Sequence, residues 1–225
     1  MKLYRFRYSP YARKVQMLLD LLGHSYELIE VSYTERSALA ELTNGYVYVP
    51  VLQVDAGNVI CDSRAICEEL LRAPGAGALL PAPLEGPIWA YHDFADGPLE
   101  DVMFRIGSPA VRDAWPTAGE RALYTLIKER KFGAGCIDAW QRARPVLIGQ
   151  AQRLLAPTLS TLRQCAFLFG DRPTLADAAL YGLCVMLEES EPGLLVQVSP
   201  ALVDYARRVE GAAQLASTSG ASAKR

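Results

Sequence analysis

Ser9-Pro10-Tyr11-Ala12 lies between a strand-like run at residues 2–6 and an amphipathic run that ends at Leu22. Proline suits the first position of a helix because its missing N–H would have no partner there, and serine is a favoured N-cap. The apolar residues that follow recur at the spacing of one helix face: Val15, Leu18, Leu19 and Leu22. The stretch predicts a strand, a turn and a helix whose positive end carries a serine hydroxyl. Taken alone, it is also consistent with a well-capped helix that has no chemical role.

The first 75 or so residues alternate between strand and helix patterns. Residues 26–31 predict a second strand, and residues 32–44 predict a short irregular helix. A hairpin follows, in which strands at 51–54 and 59–61 are joined by the turn Asp55-Ala56-Gly57-Asn58. Asp62-Ser63 then begins another helix. The order β-α-β-α-β-β-α predicts a small mixed sheet with helices packed on it.

Beyond Leu80-Pro81-Ala82-Pro83 the patterns are helical. The predicted helices cover residues 85–106, 117–131, 135–165, 174–188 and 199–209, with prolines such as Pro109 between them and Pro145 and Pro157 expected to kink the longest. We therefore expect a domain at 1–76, a linker at 77–84 and an all-helical domain at 85–211. Residues 212–225 contain few large apolar groups, so we expect a disordered tail there.

Composition narrows the possible functions. The 225 residues are 51% hydrophobic and 21% charged with a net charge of −2, which is typical of a globular protein and gives no electrostatic case for binding nucleic acid or an anionic membrane. No apolar run approaches the roughly 18 residues of a membrane span, and the N-terminus lacks the apolar block of a signal peptide. We expect a cytoplasmic protein.

The chain has five cysteines without a C-x-x-C pair and only two histidines, His24 and His92. This set offers no cluster with metal-ligand spacing, so we expect no bound metal and mainly reduced, buried cysteines.

Three local motifs together resemble one family. They are Ser9-Pro10-Tyr11-Ala12-Arg13-Lys14-Val15, Val49-Pro50-Val51-Leu52 and Asp62-Ser63-Arg64-Ala65-Ile66. A fourth stretch, residues 170–177, resembles the family's helical-domain capping motif, and Thr174 and Asp177 have the spacing of a capping box. Over nearly its whole length the chain resembles the glutathione S-transferases. The resemblance implies a thioredoxin-like N-terminal domain followed by an all-helical C-terminal domain, which is an α+β fold joined to an all-α one.

The resemblance also implies a co-substrate, glutathione, whose thiolate is the nucleophile. Ser9 is the predicted catalytic residue, as a hydrogen-bond donor to that thiolate at a helix N-terminus. Tyr8 and Tyr11 are the competing hydroxyls, since some family members use a tyrosine in this loop. The sequence has no histidine near Ser9 that would indicate a serine hydrolase.

Glutathione-binding residues are expected in the other two motifs. In the family, a cis proline at the position of Pro50 lets the residue at Val49 pair with the cysteinyl backbone of glutathione. Ser63 and Asp62 correspond to the residues that hold the γ-glutamyl carboxylate and ammonium. The residues alone favour a simpler interpretation, in which Pro50 interrupts a strand edge and Asp62-Ser63 caps a helix.

One segment departs from the family pattern. Asn44-Gly45-Tyr46-Val47-Tyr48-Val49-Pro50 lacks the lysine that often contacts the glycyl carboxylate of glutathione. Another cation could replace it, and Arg13, Lys14 and Arg36 are the neighbours in sequence.

The electrophile is expected to bind between the domains. The large side chains available at the start of the helical half are Trp89, Tyr91, Phe94, Met103, Phe104 and Trp115. Because aromatic residues at helical spacing are more often core, we select only Met103 and Phe104, together with Tyr11, as pocket residues.

The predicted function is a glutathione transferase that conjugates glutathione to a small hydrophobic electrophile, as in detoxification, or uses it in a related isomerisation or dehalogenation. The family resemblance also implies a homodimer. The alternative is a non-catalytic interaction or stress protein on the same fold, which the altered 44–48 segment favours. A glutaredoxin-type oxidoreductase is disfavoured because serine at position 9 cannot form a mixed disulfide.

Overall fold

The computed structural model describes residues 1–222, without the side chains of 217 and 219–222. The N-terminal part contains one four-stranded mixed sheet in the order β2-β1-β3-β4. Its strands are β1 (Lys2–Arg5), β2 (Glu27–Glu30), β3 (Val51–Gln53) and β4 (Val59–Cys61). β1 pairs with β2 in parallel and with β3 antiparallel, and β3 and β4 form the predicted hairpin. The thioredoxin-like arrangement expected from the alternation of strands and helices is confirmed.

Three helices accompany this sheet: α1 (Pro10–Leu21), α2 (Ser37–Leu42) and α3 (Ser63–Leu71). α1 connects the parallel strands β1 and β2, as a β-α-β unit requires. Its apolar stripe is buried, with Val15, Leu18 and Leu19 fully excluded from solvent. The N-terminus of α1 is thereby fixed at the carboxyl end of β1, which positions Ser9.

The C-terminal part is all helical, as predicted. Its helices are α4 (Glu85–Phe94), α5 (Glu100–Ala114), α6 (Ala118–Phe132), α7 (Cys136–Leu162), α8 (Leu175–Ser190), α9 (Leu194–Val198) and α10 (Pro200–Ser222). Between α4 and α5 the chain forms a π-helical segment, Ala95–Leu99, with Pro98 inside it. Such segments place an extra residue in a helical turn and often occur at functional sites.

Several prolines lie inside helices rather than between them. Pro109 lies within α5, and α7 runs through both Pro145 and Pro157 as one 27-residue helix. The prediction that Pro109 separates two helices was wrong. Proline costs a helix one hydrogen bond, and burial of the α5 face that includes Pro109 outweighs that cost here.

α8 packs directly on α1, and a glycine makes the contact possible. A Cβ on Gly182 would lie 2.4 Å from the Pro10 carbonyl oxygen and 3.0 Å from the Lys14 backbone nitrogen. Real Cβ atoms do not approach backbone atoms this closely, so only glycine allows α8 to lie against the first turn of α1. The helical part of the chain therefore supports the helix that Ser9 caps.

The predicted tail is helical as far as the structure describes it. α10 continues to Ser222, and Ala213 is 5% exposed within it. The expectation of a disordered segment was wrong for residues 212–222, because small residues let the helix lie close to α1: the Ala216 carbonyl oxygen is 3.4 Å from the Cβ position of Gly23. Residues 223–225 lie outside the described part of the chain.

All five cysteines are free thiols, of which Cys67, Cys136 and Cys184 are buried and two are partly exposed. Within residues 1–222, no helix has the length and apolarity to cross a membrane. The described residues also contain no group of three or more His, Cys, Asp or Glu side chains placed to hold a metal ion.

Candidate functional site

Ser9 is the N-cap residue of α1, as predicted. Its backbone is extended, and its Oγ accepts a hydrogen bond from the Ala12 N–H at 3.3 Å. The side chain is 8% exposed. Among residues 1–222, none accepts the Ser9 hydroxyl proton, so this proton is available to an anion at the positive end of α1.

A cavity of about 510 Å³ lies beside the first turn of α1. We call it the smaller cavity, and Tyr11, Val49, Pro50, Asp62 and Ser63 are among the residues that line it. The Val49–Pro50 peptide bond is cis, so the expectation that rested on the family resemblance is confirmed. The structure thus brings together all four of the predicted glutathione-binding residues.

Asp62 and Ser63 occupy the N-terminus of α3. Asp62 has a φ of 77°, and its Oδ1 accepts hydrogen bonds from the Arg64 N–H at 2.9 Å and the Ala65 N–H at 3.3 Å. Left-handed backbone at a residue other than glycine is strained and is often found at functional sites. Ser63 is 6% exposed at the first position of the helix, where an anion is favoured. The turn therefore caps α3 and presents a helix N-terminus where an anion would be favoured.

The two tyrosines that compete with Ser9 are separated. Tyr8 stacks on Phe6 at 5.8 Å and meets the edge of Trp115 at 5.6 Å between ring centroids. Its hydroxyl is buried without a hydrogen-bond partner among the described residues, and burial raises its pKa far above the usual range. Neither Tyr8 nor Ser9 is among the residues that line the smaller cavity, so the two differ in their local setting: Ser9 caps α1 next to the lining residue Tyr11, whereas the Tyr8 ring is packed between Phe6 and Trp115.

Tyr11 does line the smaller cavity. Burial and the nearby Glu100 carboxylate raise the pKa of Tyr11, and its hydroxyl donates a hydrogen bond to Glu100. Burial raises the pKa of Glu100 to about 7. The Tyr11 proton is therefore already directed to an acceptor, whereas the Ser9 proton is not.

A buried charged network supports the smaller cavity and was missed in the sequence. Lys14 is 1% exposed, and its ammonium contacts the Asp96 carboxylate and lies 2.8 Å from His92 Nε2. His92 Nδ1 lies 3.0 Å from Asp93 Oδ1, which Arg64 contacts at 2.5 Å. Lys14 joins α1 to the π-helical segment. The sequence contained one indication that Lys14 is buried: it lies four residues before Leu18, on the same face of the predicted helix.

The network fixes the tautomer of His92. The Lys14 ammonium can only donate, so His92 Nε2 must accept and Nδ1–H must donate to Asp93. Burial first, and the Lys14 charge second, lower the pKa of His92 below 6.5. His92 is therefore neutral when the protein is folded at neutral pH.

His92 gives a testable pH dependence of stability. A histidine whose pKa is lowered by folding binds its proton more readily when unfolded, so the folded state loses stability as the pH falls below about 6.5. We expect the fall in melting temperature between about pH 7.5 and pH 5.5 to be smaller in His92→Gln than in the unchanged protein. His24→Gln, which removes the chain's other histidine, is the control and should keep the full fall. Equal falls in all three proteins would contradict the assignment.

Two of the three predicted electrophile-pocket residues, Met103 and Phe104, do not line the smaller cavity. Met103 is fully buried in the core, and Phe104 packs against Phe132 and Trp140 with ring centroids 6.0 and 5.9 Å away. Core packing explains the helical spacing of this pair, and the predicted pocket role stays a prediction. Tyr11 remains at the smaller cavity.

The three candidate replacements for the missing lysine lie in different places. Lys14 is buried against Asp96, and Arg13 Nη2 contacts Glu189 Oε1 at 2.7 Å. Arg36 donates to the Val47 carbonyl at 2.9 Å, two residues before the cis Val49–Pro50 bond. Of these three residues, Arg36 alone contacts the segment that precedes Pro50, while Tyr48 is 65% exposed.

Comparison with known proteins gives a consistent result. The N-terminal domain profile of glutathione S-transferases matches residues 3–78, and the C-terminal domain profile of the same family matches residues 114–212. A search of curated protein sequences finds no match.

Solved structures share the fold at low sequence identity. The glutathione S-transferase CsGST83044 of Ceriporiopsis subvermispora, in complex with glutathione, superposes with a TM-score of 0.76 at 19% identity, covering 95% of this chain and 97% of that one. GSTFuA3 from Phanerochaete chrysosporium gives 0.76 at 18% identity, covering 94% and 96%. BphK, a bacterial enzyme of the same type solved as a ternary complex, gives 0.66 at 20% identity, covering 97% and 98%.

Proposed function

This chain belongs to the glutathione S-transferase family, and we propose that it binds glutathione in the smaller cavity and transfers it to a small hydrophobic electrophile. The observation that carries the proposal is the Ser9 hydroxyl. This hydroxyl caps α1, and no described residue accepts its proton. The cavity beside α1 is lined by Ser63 and by the cis-bonded Val49 and Pro50.

Each wall of the smaller cavity suits a different part of the tripeptide. The cis Val49–Pro50 bond leaves the Val49 backbone free to pair with the cysteinyl residue as a strand would. Ser63 at the N-terminus of α3 receives the γ-glutamyl carboxylate, and Asp62 favours the ammonium beside it. Glutathione then extends from α3 across Pro50 toward α1.

Ser9 has enough interaction energy to ionise the thiol. A free thiol has a pKa of about 8.5. A hydrogen bond to a charged group contributes about 1.5–3 kcal/mol, and a helix N-terminus adds about 0.3–1 kcal/mol. Because one pKa unit corresponds to about 1.4 kcal/mol, the two effects lower the thiol pKa by roughly one to two units or more.

The chemical step follows from this ionisation. The thiol proton leaves to solvent when glutathione binds, and the thiolate attacks the electrophilic carbon to form the carbon–sulfur bond. In a substitution the carbon's leaving group departs with its bonding electron pair; in an addition the π electron pair moves to the neighbouring atom, which then takes a proton from solvent. Ser9 keeps its own proton throughout and donates it as a hydrogen bond, so no covalent bond to the enzyme forms.

Arg36 is the proposed replacement for the missing lysine. It donates to the Val47 carbonyl in the 44–48 segment that departs from the family pattern, although neither Arg36 nor Val47 is among the residues that line the smaller cavity. We expect Arg36→Gln to weaken glutathione binding about tenfold, because a charge-assisted hydrogen bond is lost. Binding of glutathione esterified at the glycyl carboxylate should change little.

Calorimetry measures both affinities. Arg72→Gln is the matched control, since Arg72 is an exposed arginine paired with Glu69 on α3. If Arg36→Gln weakened the ester and the free acid equally, Arg36 would not contact the glycyl carboxylate.

The altered 44–48 segment favours a second candidate function, a non-catalytic protein that uses the same fold for interaction. Tyr48, 65% exposed where the family often has a lysine, supports it. Titration with millimolar glutathione distinguishes the two functions: saturable binding supports the transferase, and absence of heat supports the interaction protein. We also propose, on the family resemblance, a cytoplasmic homodimer, which light scattering of the purified protein would test.

A further inference from the structure

Tyr11 brings a second hydroxyl to the smaller cavity, at the end of α1 that Ser9 caps. It follows Ser9 by two residues and lies in the first turn of the helix. The Lys14 ammonium lies 5.7 Å from the centre of the Tyr11 ring. The hydroxyl itself donates to Glu100, and the reaction at the thiol makes no use of this pair.

Glu100 is a partly buried carboxyl group at the point where several elements meet. It is the first residue of α5. The titratable groups that face it are Tyr11 in α1, Asp96 in the π-helical segment, Asp101 in α5, and Tyr124, Lys128 and Lys131 in α6. Burial raises the pKa of Glu100 to about 7, against the opposing charge of Lys131 and with the help of Asp101 and Asp96. Glu100 therefore exchanges its proton near neutral pH, where an acid–base group is most effective.

The protonation state of Glu100 decides where the Tyr11 proton points. An ionised carboxylate can only accept, so it takes the hydrogen bond from Tyr11. A protonated carboxyl donates its own proton to the Tyr11 oxygen, which leaves the phenol proton free to point into the smaller cavity. Burial, and next the charge of Glu100, keep the pKa of Tyr11 far above its usual range. Tyr11 is therefore a proton donor and not a base for the thiol.

We propose that Tyr11 is a catalytic proton donor to the electrophile, that Glu100 is its positioning residue, and that the electrophiles are α,β-unsaturated carbonyl compounds. These compounds place negative charge on an oxygen when a thiolate attacks them, and a donor in partly dry surroundings stabilises such an oxyanion. The proposal rests on the transferase function proposed above and adds the class of electrophile.

The proton and electron transfers are specific to this class. The thiolate sulfur forms a bond to the β carbon, and the π electrons shift along the conjugated system so that the carbonyl oxygen receives a pair. Tyr11, in place of solvent, gives its proton to that oxygen, which produces an enol that becomes the ketone in solvent. The Glu100 proton restores the Tyr11 hydroxyl, and the carboxylate regains its proton from solvent.

Two electrophiles test the role of Tyr11. The enone trans-4-phenyl-3-buten-2-one forms an oxyanion, whereas 4-nitrobenzyl chloride releases chloride and takes up no proton. We expect Tyr11→Phe to lower the ratio of kcat/KM for the enone to kcat/KM for the chloride about 100-fold. An unchanged ratio would overturn the proposal. So would a rise in the pKa of the bound thiol toward 8.5 in this variant, because Tyr11 would then act on the sulfur.

Tyr181→Phe is the matched control for Tyr11→Phe. The Tyr181 hydroxyl also donates to a glutamate, Glu210, at 2.8 Å, and neither residue lines the smaller cavity. This variant should keep the ratio of the unchanged protein.

The dependence of the same ratio on pH tests Glu100. Both electrophiles need the thiolate, so its ionisation cancels in the ratio. In the unchanged protein the ratio should fall about tenfold per pH unit above about pH 7, as Glu100 loses its proton. Glu100→Gln should give a level ratio, because an amide does not titrate. A level ratio in the unchanged protein, or an equal fall in Glu100→Gln, would overturn the assignment.

Lys128 and Glu85 provide checks on this profile. Burial lowers the pKa of Lys128 to about 8, but loss of its positive charge makes Glu100 hold its proton more tightly and so opposes the expected fall. Glu85→Gln is the matched control, since Glu85 is an exposed glutamate that also begins a helix, and it should keep the fall.

Turnover of the two electrophiles separates this proposal from the function on which it rests. No turnover of either one would overturn both proposals. Turnover of 4-nitrobenzyl chloride without turnover of the enone would overturn the class of electrophile and leave the transferase function standing.

Discussion

Ser9→Ala lowers kcat/KM for glutathione transfer about 10- to 150-fold, which corresponds to the 1.5–3 kcal/mol of a hydrogen bond to a charged group. The reason is the hydroxyl proton, which no described residue accepts and which the thiolate would take. Alanine keeps the helix N-terminus, so part of the thiolate stabilisation remains. The affinity for glutathione should change much less than kcat, because the backbone at Val49 and the N-terminus of α3 are untouched.

The thiol pKa is the direct readout of this prediction. In the unchanged protein, ultraviolet absorbance of bound thiolate against pH should give a pKa about one to two units below 8.5, and Ser9→Ala should bring it back most of the way. Ser9→Cys should still bind glutathione but gain disulfide exchange. Tyr11→Phe is the competing variant. A loss in Tyr11→Phe that exceeds the loss in Ser9→Ala would transfer the catalytic role to Tyr11.

Asp177→Ala lowers the free energy of unfolding by about 3–5 kcal/mol, the largest stability effect we expect in the chain. Asp177 is fully buried, and its carboxylate accepts four hydrogen bonds. The donors are the Leu168 N–H, the Thr174 N–H, the Thr174 hydroxyl and the Tyr205 hydroxyl, at 2.8–2.9 Å. Alanine would leave these buried donors without an acceptor. It would also remove the link that the carboxylate makes between its own helix and the segments of Leu168, Thr174 and Tyr205.

Thermal unfolding measures the effect, with an expected fall in melting temperature on the order of 10 °C. Asp177→Asn keeps the shape of the side chain but turns an amide toward donors, so it should also destabilise. Asp204→Ala on α10, whose side chain is 70% exposed, is the control and should stay within about 0.5 kcal/mol. A change in Asp177→Ala no larger than in Asp204→Ala would contradict the importance of this carboxylate.

Local sequence patterns predicted the parts of the site that depend on local chemistry. Ser9 before Pro10 predicted an N-cap, and Thr174 with Asp177 predicted a capping box, because capping involves residues within one turn. The cis bond at Pro50 was predicted from the resemblance alone, since few X-Pro bonds are cis without such a reason.

Contacts between distant segments could not be predicted in this way. The Lys14 ammonium meets Asp96 and His92 from about 80 positions away in the chain, and nothing in the local pattern of α1 names its partners. Met103 and Phe104 have the same helical spacing whether they face a ligand or the core, and only packing decides between the two.

A cavity of about 830 Å³ on which Arg5, Phe6, Tyr8, Arg13 and Trp115 converge shows a similar limit. These residues come from β1, the loop after it, α1 and the residue after α5, so their grouping exists only in the folded chain. Trp115 was among the large side chains considered for a pocket, but its partner Tyr8 was considered only for its hydroxyl. The sequence therefore indicated the residue types and not the site.

A crystal structure of the protein soaked with glutathione tests the central claim most directly. The account predicts the tripeptide in the smaller cavity, paired with the Val49 backbone, with its γ-glutamyl end at Ser63 and its sulfur within hydrogen-bond distance of Ser9 Oγ. Glutathione bound with its sulfur at the Tyr11 hydroxyl, or bound outside the smaller cavity, would contradict it.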